Sequence, residues 1–544
     1  MSLLFPMTLS PDTTLESTMM TTRLLMSTLT LSLLVACGNK DKPKDKAPDP
    51  VKSDVTKSDV IKPDAIEPDV IKPDAIEPEV AKPDPWALPP APPSSVYSGP
   101  LFALSHAYPT TPVAPPADPP WRKASGGGLI TTANAEAYTQ ALKDYVAADM
   151  KVLLYDYPAW DAGKAGWYNA PWLTSVREPI HGTYVGSSFT KDYFPISGLT
   201  ADMTTHVLVY YDDVSAAVLQ GMWGPSGMDP VPGIKAGLAQ YPEGSIIVKP
   251  AFTTANATTW PVLEGAVSWP IYAVPDDGSS KDPVLQNVSF FQFDIIVKDS
   301  VASPTTQWVF TTLVYDKNAP GDNWDKMVAL GAMWGNDPTV ISPQGCDPIK
   351  GDCPALNETW INPAAPVYAK ETLGWGGRLS GPNDGAVDTN AAVIQADGSV
   401  KPYNGRYAMS SCMSCHQSAE YPLQNFLLPS PSVCGTDGKD SCSPRLVLCE
   451  GETCTPFDKT GNPRVAYYDS GSQDFLQWFL NRPGTQAVSS TATALDFGMN
   501  NAFKALPGWV KATGGKPVGH AHKLSDYRGH PKQATEQAPA QPTK

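Results

Sequence analysis

Four runs of β-branched and aromatic residues constrain the fold of this chain more than any other feature. They span residues 204–213, 244–252, 288–299 and 307–317, and Gly, Pro, Asp or Asn bounds each of them. Runs with this composition and punctuation predict β-strands. Short strands spread along so long a segment favour a two-sheet sandwich or jelly roll over a propeller.

A weak internal echo points to the same architecture. The motif LVYYDD leads to GMWG at 221–224, and the motif LVYDKN leads to GAMWG at 331–335. Two copies are too few for a repeat array, but they suggest matched edges of a sandwich. We therefore expect a β-rich, sandwich-like domain over residues 96–372.

Three segments show helical patterns instead. One helix is expected from the Asn134 cap through residue 150, and it interrupts the strands. A second pattern starts at a Ser472 cap and stops at Pro483. A third carries an apolar stripe, which comprises Leu495, Gly498, Met499, Ala502, Phe503 and Leu506. The last two patterns predict a small, mainly α-helical domain over residues 373–512, followed by a disordered tail over residues 513–544.

The first 37 residues look like an export signal. An apolar run from Leu24 to Ala36 is closed by Cys37 and Gly38. Its length suits a signal-peptide core and is too short to span a membrane. The stretch LVACG resembles the lipobox of bacterial lipoproteins, and that resemblance implies acylation of Cys37 and a membrane anchor. Gly38 as the second mature residue favours the outer membrane, and an ordinary signal peptide is the competing interpretation.

Residues 38–95 are expected to form a disordered tether. From Lys52 the chain runs in five-residue steps such as KPDAI and EPDVI. Pro or Ser and alternating charge recur in these steps, which leaves no face that could be buried. Such a segment extends at about 3.1 Å per residue where it adopts polyproline II.

Charge argues against one class of partner. The chain has 40 basic and 55 acidic residues, which gives a formal net charge of −15. A surface of this sign repels phosphate backbones, so nucleic acid is not an expected partner.

Nine cysteines divide into groups with different expected roles. Besides Cys37 and the pair at 412 and 415, three close couples remain: Cys346 with Cys353, Cys434 with Cys442, and Cys449 with Cys454. An exported chain lives in an oxidising compartment, where such couples form disulfides. Six cysteines allow 15 pairings, so proximity alone favours this one.

The pentapeptide CMSCH at residues 412–416 admits four interpretations. A structural zinc site needs a second ligand pair, which the sequence does not offer. A thioredoxin-like dithiol needs an α/β setting that this region lacks, and a local disulfide stays open. A haem site uses all three residues, because two thiols at this spacing can bond two vinyl groups while the adjacent imidazole reaches the iron. The sequence therefore favours one covalently attached haem c.

On this motif the chain resembles the c-type cytochromes. The resemblance covers residues 375–510 and implies that Cys412 and Cys415 form thioethers and that His416 is the proximal iron ligand. The stretches HAYP, APWLTSVREPIHG, LVYDKNAPGDNWDKM and AMWGNDP also resemble a group of bacterial monohaem lipoproteins. That second resemblance implies no particular activity.

The sixth iron position decides between functions. Met499 is the one methionine after the motif and is therefore the candidate distal ligand, although the family usually places this methionine in a loop and the stripe places it in a helix. His181, His520 and His522 are rivals, and Arg378 is a candidate partner for a haem propionate.

The expected function is periplasmic or cell-surface electron transfer by a membrane-anchored monohaem cytochrome. The alternatives are a haem enzyme or gas sensor with an open sixth position, and a ligand-binding sandwich with an accessory haem. The redox partner protein is not identified by the sequence, and no catalytic residue is assigned.

Overall fold

The computed structural model describes residues 86, 88–171, 177–224, 227, 230–275, 278–343, 346–389, 391–403, 405–421, 448–450, 453–455 and 466–504. They belong to one compact unit that begins at Pro78. The expected signal, Cys37, most of the tether, Cys434, Cys442 and the tail lie outside the described residues. The folded part begins before residue 96, because the ring of Trp86 stacks on His106 with centroids 4.4 Å apart.

Eight α-helices are present in the described ranges. They are α1 Pro120–Ala124, α2 Ala135–Tyr155, α3 Asp213–Trp223, α4 Val231–Lys235, α5 Val367–Lys370, α6 Cys412–His416, α7 Gln473–Leu476 and α8 Met499–Lys504. Short 3₁₀ turns occur at Tyr157–Ala159, Lys191–Tyr193, Pro261–Leu263, Trp375–Gly377 and Gln477–Phe479. None of the described helices is long and apolar enough to cross a membrane.

The strands up to residue 361 form one sheet. They are β1 Trp167–Tyr168, β2 Tyr184–Phe189, β3 Met203–Val207, β4 Tyr210–Asp212, β5 Ile246–Thr253, β6 Ser268–Ala273, β7 Val284–Lys298, β8 Trp308–Tyr315, β9 Met327–Met333 and β10 Thr359–Ile361. The main order is β1-β4-β5-β7-β8-β9-β10, with β2 on β3, β3 also on β5, and β6 on β7. All of these pairings are antiparallel. The four predicted runs lie on β3 with β4, β5, β7 and β8, so the β-rich prediction is confirmed.

The sheet differs from the expected two-sheet sandwich. Its ten strands hydrogen-bond into a single sheet rather than two facing ones. The echo in the sequence has no structural counterpart, because GMWG ends helix α3 whereas GAMWG ends strand β9. Asp212 caps α3 by accepting a hydrogen bond from the Ser215 amide, and this starts a helix where the second copy continues as a hairpin.

The two faces of the sheet carry different side chains. Neighbouring residues of a strand point to opposite faces, and Val248, Ile295 and Val309 lie with helix α2 in one apolar cluster. Leu142 and Val146 of α2 are fully buried in that cluster, which we call the closed face. The adjacent residues Lys249, Asp294, Phe310 and their neighbours instead line a cavity on the opposite face, the cavity face.

The C-terminal part is not mainly helical in the described residues. Its strands are β11 Val387–Asp388, β12 Ala392–Ile394, β13 Val400–Pro402, β14 Tyr407–Ala408, β15 Glu420–Tyr421, β16 Leu448–Glu450, β17 Thr453–Thr455, β18 Ala466–Tyr468 and β19 Thr493–Ala494. They form small sheets: β11-β14, β13-β12-β18, β15-β19 and β16-β17. The described part of residues 373–504 therefore combines short strands with helices of four to six residues.

Two of the expected helices shrink for local reasons. Ser472 does cap α7, but the helix changes to a 3₁₀ turn after Leu476. The third pattern begins only at Met499, because Asp496 and Phe497 adopt the left-handed conformation at φ 48° and 63°. Two successive residues in that conformation cannot lie inside a right-handed helix.

The expected boundary near residue 372 does not separate two cores. A single buried cluster contains Phe310 and Leu330 of the sheet together with Met413, Trp478 and Met499 of the C-terminal part. The C-terminal segment thus packs directly on the cavity face.

One expected disulfide is confirmed. Cys346 and Cys353 are bonded, with Cα atoms 5.0 Å apart. The β16–β17 register places Cys449 opposite Cys454. The proposed pair of Cys434 and Cys442 lies outside the described residues.

Candidate functional site

A cavity of about 190 Å³ lies between the cavity face and the C-terminal segment. Cys412, Cys415, His416 and Met499 all line it. The structure therefore brings together the two cysteines, the histidine and the methionine that the sequence singled out for haem attachment and iron ligation. The opposite wall is the sheet, which contributes aromatic, apolar and charged side chains: Tyr184, Tyr211, Lys249, Asp294, Ile296, Trp308 and Phe310.

The CMSCH pentapeptide forms helix α6, whose start is fixed by serines. The Ser411 hydroxyl accepts a hydrogen bond from the Ser414 amide at 3.1 Å, and the Ser414 hydroxyl accepts one from the Ser411 amide at 2.8 Å. This reciprocal capping box satisfies two amides that a short helix would otherwise leave without partners. It holds the two thiols and the imidazole on one short turn.

Gly374 brings the GWGGRL segment against this helix. A Cβ atom at position 374 would lie 1.8 Å from the carbonyl oxygen of Ser410. The same carbonyl accepts a hydrogen bond from the Trp375 amide at 3.0 Å. Only glycine allows this approach, which braces the residue just before the cap.

Both cysteines of the motif are thiols. Cys415 is buried and Cys412 is half-buried, and neither is in a disulfide. Burial raises the pKa of the Cys412 thiol well above its usual value, and the nearby carboxylates of Asp384 and Asp294 raise it further. The thiol at position 412 is therefore neutral at physiological pH.

The His416 ring is oriented by a backbone acceptor. Its Nδ1 donates to the carbonyl oxygen of Phe497 at 2.9 Å, and the ring of Phe310 lies 4.9 Å from it. A hydrogen bond that fixes the proton on Nδ1 leaves Nε2 as the nitrogen with a lone pair. An imidazole that ligates a metal usually donates its other N–H in this way.

The loop at 495–499 carries both Phe497 and Met499. The Leu495 amide donates to Ala419 at 2.9 Å, and the Gly498 amide donates back to Leu495 at 2.8 Å. Met499, which is 7% exposed, then starts helix α8. One short loop thus supplies the acceptor for His416 and the thioether on the cavity wall.

Asp496 holds this loop against the sheet. Its fully buried carboxylate accepts hydrogen bonds from Trp308 Nε1 at 2.8 Å and from the Tyr241 amide at 2.7 Å. Lys298 forms an ion pair with the same carboxylate. A Cβ atom at Gly484 would lie 1.7 Å from Asp496 Oδ1, so the chain packs closely on this group.

A second charged cluster lines the cavity. Lys249 Nζ lies 2.9 Å from Asp294 and 2.8 Å from Asp384, and Gln292 donates to both carboxylates. Burial alone would lower the pKa of Lys249, but the two carboxylates outweigh it and raise that pKa. For the carboxyl group of Asp294 burial has the opposite sign and raises the pKa, an effect that the positive charge of Lys249 opposes.

A haem fits the chemistry of this site, and size limits how it fits. The donor set is two thiols, an oriented imidazole and a thioether on an aromatic-lined cavity. The side-chain oxygen of Asn383, which also lines the cavity, has no hydrogen-bond partner within the described chain. Sites for drug-sized ligands span roughly 300–1,000 Å³. Since this cavity is smaller, a whole tetrapyrrole requires its walls to open or one edge to lie outside.

Arg378 is not brought to the cavity. It is fully buried and donates to the carbonyl oxygens of Asn336, Asp337, Val340 and Trp375. Its guanidinium also stacks on the Trp375 ring at 4.4 Å. Arg378 therefore connects these loops, and its side chain does not line the cavity where a propionate contact was expected.

The rival histidines do not meet the cavity in the described part of the chain. His181 stacks on Trp269 of the closed face at 4.1 Å, and its Nδ1 donates to Pro270. Burial lowers the pKa of His181 to about 4. His520 and His522 lie outside the described residues.

Sequence reasoning missed the charged members of the site. Lys249, Asp294 and Asp496 come from distant parts of the chain, and no short motif joins them. A signal does exist for two of them, since Lys249 and Asp294 are charged residues inside otherwise apolar strands. Such residues mark either an exposed face or a paired polar site.

Neither metal geometry nor similarity to known proteins identifies the group that this cavity would bind. Among the described residues, no group of three or more His, Cys, Asp or Glu side chains is placed to hold a metal ion by itself. No family model matches the chain, and neither does any curated protein or solved structure.

Proposed function

We propose that the chain is a monohaem c-type cytochrome that transfers electrons in the bacterial cell envelope. The observation that carries the proposal is the shared cavity of Cys412, Cys415, His416 and Met499. Cys412, Cys415 and His416 share helix α6, whereas Met499 begins helix α8 much later in the chain, and the fold still brings all four to one cavity. The finer architecture that we propose is a cytochrome-like haem segment built onto the β-rich unit.

Each residue has a role in this proposal. Cys412 and Cys415 would hold the haem through thioether bonds, and His416 Nε2 would ligate its iron. Met499 would supply a second ligand, which suits an electron carrier because a thioether raises the potential. The Nδ1–H bond to Phe497 keeps the imidazole in one tautomer and one orientation.

The bound group supplies one-electron exchange at its iron. The chain supplies the surroundings. Trp308, Phe310 and Phe497 exclude water from the apolar wall, and the Lys249 cluster provides a polar wall with paired charges. Buried charges that remain paired cost less than isolated ones, so the cavity can hold them beside apolar groups.

A second candidate function is a haem enzyme or gas sensor with an open sixth position. The polar lining by Lys249, Asp294 and Asp384 favours it, because a pure carrier does not need titratable groups on the cavity wall. In that case Met499 would pack in the wall without binding iron.

The location and partners are part of the proposal. The LVACG motif supports a lipid anchor at Cys37, and the repeats after Lys52 support an extended tether. Together they favour the periplasmic face or the cell surface, at the outer membrane. The partner is then a redox protein of the envelope, and nucleic acid is not expected given the net charge of −15.

The test is an optical spectrum of protein made in a host with a cytochrome c maturation system. We expect a covalent haem c spectrum after dithionite reduction, and no change on adding carbon monoxide. A carbon monoxide shift in the wild type would favour the enzyme or sensor. Protein without covalent haem would overturn the proposal.

Two methionine variants sharpen this test. Met499→Leu removes the proposed ligand, so the reduced protein should bind carbon monoxide. Met409→Leu is the matched control, since Met409 is also buried in the same cluster, at 0% exposure against 7% for Met499, but does not line the cavity. A Met499→Leu protein that stays inert to carbon monoxide would exclude Met499 as the ligand.

A further inference from the structure

Asp496 and Phe497 are two successive residues in the left-handed backbone conformation, which a bulky residue such as Phe rarely adopts. Asp496 and Phe497 both have positive φ, at 48° and 63°. The left-handed conformation is unfavourable for a bulky residue such as Phe497, and a single helix would not contain two such residues in succession. This strain persists only where the surrounding structure determines it, and such residues cluster at functional sites.

The groups around Asp496 hold it in this conformation. Three donors converge on its carboxylate: the ammonium of Lys298, the indole N–H of Trp308 and the backbone amide of Tyr241. Asp496 is 1% exposed. Lys298 and Trp308 belong to the central strands β7 and β8, so the anchor points are part of the rigid sheet.

The conformation of Asp496 and Phe497 affects two of the residues that line the cavity. The residue after Asp496 presents its carbonyl oxygen to His416 Nδ1, and Met499 follows two residues later. Rotation of the backbone at 496–497 would therefore move the acceptor of one proposed axial ligand and the position of the other together.

We propose that Asp496, held by Lys298, is the positioning residue for both axial ligands of the haem. Asp496 also lines the cavity, and in this role it acts through Phe497 and Met499. The inference rests on the proposed function, since it concerns how the haem ligands are held. It adds an ion pair under the loop as the device that keeps the sixth position closed.

The variant Asp496→Asn tests this directly in the full-length protein with haem attached. The amide cannot pair with Lys298 and cannot accept all three hydrogen bonds. Covalent haem content should stay at the wild-type level, because Cys412 and Cys415 are unchanged. The reduced variant should show the spectral shift with carbon monoxide that the wild type lacks, because the sixth position is no longer held closed. The reduction potential should fall as the thioether is lost.

Asp299→Asn is the matched control. Asp299 is also a fully buried carboxylate, and it accepts hydrogen bonds from Trp121 Nε1 and Tyr138 and pairs with Arg122. It does not line the cavity. This variant should lose stability while keeping wild-type behaviour towards carbon monoxide.

A double variant separates positioning from folding. Lys298→Met with Asp496→Asn leaves no unpaired buried charge, so it should fold even if Asp496→Asn does not. We expect the double variant to bind carbon monoxide as well. If it folds, carries haem and remains inert to carbon monoxide, the positioning role is wrong. A wild type without covalent haem would instead overturn the proposed function, which is a different and distinguishable outcome.

Discussion

The two faces of the central sheet are made by alternate residues of the same strands, yet they are built for different purposes. On the closed face, Val248, Ile295 and Val309 are fully buried against helix α2. One residue along each strand, the cavity face carries Lys249, Asp294 and Phe310. Burying charge is costly unless it is paired, whereas burying apolar surface is favourable. The closed face therefore stabilises the fold. The cavity face contributes less stability, because it buries the charged groups that line the cavity.

The largest effect should come from removing the thiols on the cavity face. The double variant Cys412→Ala with Cys415→Ala should carry no covalently bound haem, since both thioether bonds need these sulfurs. Haem staining of the denatured protein on a gel measures this directly. Covalent haem in the variant would mean that another residue attaches it.

A second cysteine pair gives the matched control. Cys346→Ala with Cys353→Ala removes a disulfide that lies outside the cavity. Haem attachment should be unchanged, and the free energy of unfolding should fall by about 2 kcal/mol because a short closed loop is released. Loss of haem here would show that the staining reports folding rather than attachment.

The next effect compares apolar residues on the two faces. Phe293→Ala on the closed face should lower the free energy of unfolding by about 3–5 kcal/mol, since it leaves a hole in a close-packed core. Ile247 is half-buried on the cavity face. Ile247→Ala should lower the free energy of unfolding clearly less, because this side chain already borders a cavity. Denaturant unfolding measures both. Equal losses would contradict the difference between the faces.

Acid should weaken the closed face through His181. Its folded pKa of about 4 lies below the unfolded value of 6.5, so the unfolded state takes up the proton first. Stability is full above pH 6.5 and falls by about 3 kcal/mol as the pH drops towards 4. The wild type should lose more stability between pH 7 and pH 4.5 than His181→Gln does. The same loss in both proteins would exclude His181 as the group that titrates.

The smallest effect concerns the brace behind the CMSCH helix. Gly374→Ala should lower the free energy of unfolding by about 1–3 kcal/mol, because the new methyl group meets the Ser410 carbonyl and backbone must shift. Gly128→Ala is the control, since nothing lies within 4 Å of its added Cβ. A neutral Gly374→Ala would show that the approach of the two segments is not tight.

Local patterns predicted what local physics decides. The runs at 288–299 and 307–317 became strands β7 and β8, and the pattern after Asn134 became helix α2. The spacing in CMSCH predicted the motif residues that line the cavity. These features depend on residues close together in sequence, so a single sequence reveals them.

The remaining features depend on distant contacts. The loop at Asp496 and Phe497 breaks a helical stripe because its carboxylate is held by Lys298 and Trp308, nearly 200 residues earlier. Nothing near Asp496 in the sequence signals this pairing. The four carbonyl partners of Arg378 are likewise contacts in space that the segment GWGGRL does not reveal, and from the sequence Arg378 was a candidate partner for a propionate.

Peptide mass spectrometry of the protein from a maturation-competent host tests the central claim most directly. The account predicts that the peptide containing Cys412 and Cys415 carries the mass of one haem and has no thiol left to alkylate. Two alkylated thiols, or a disulfide between them, would contradict it and leave the cavity without its proposed cofactor.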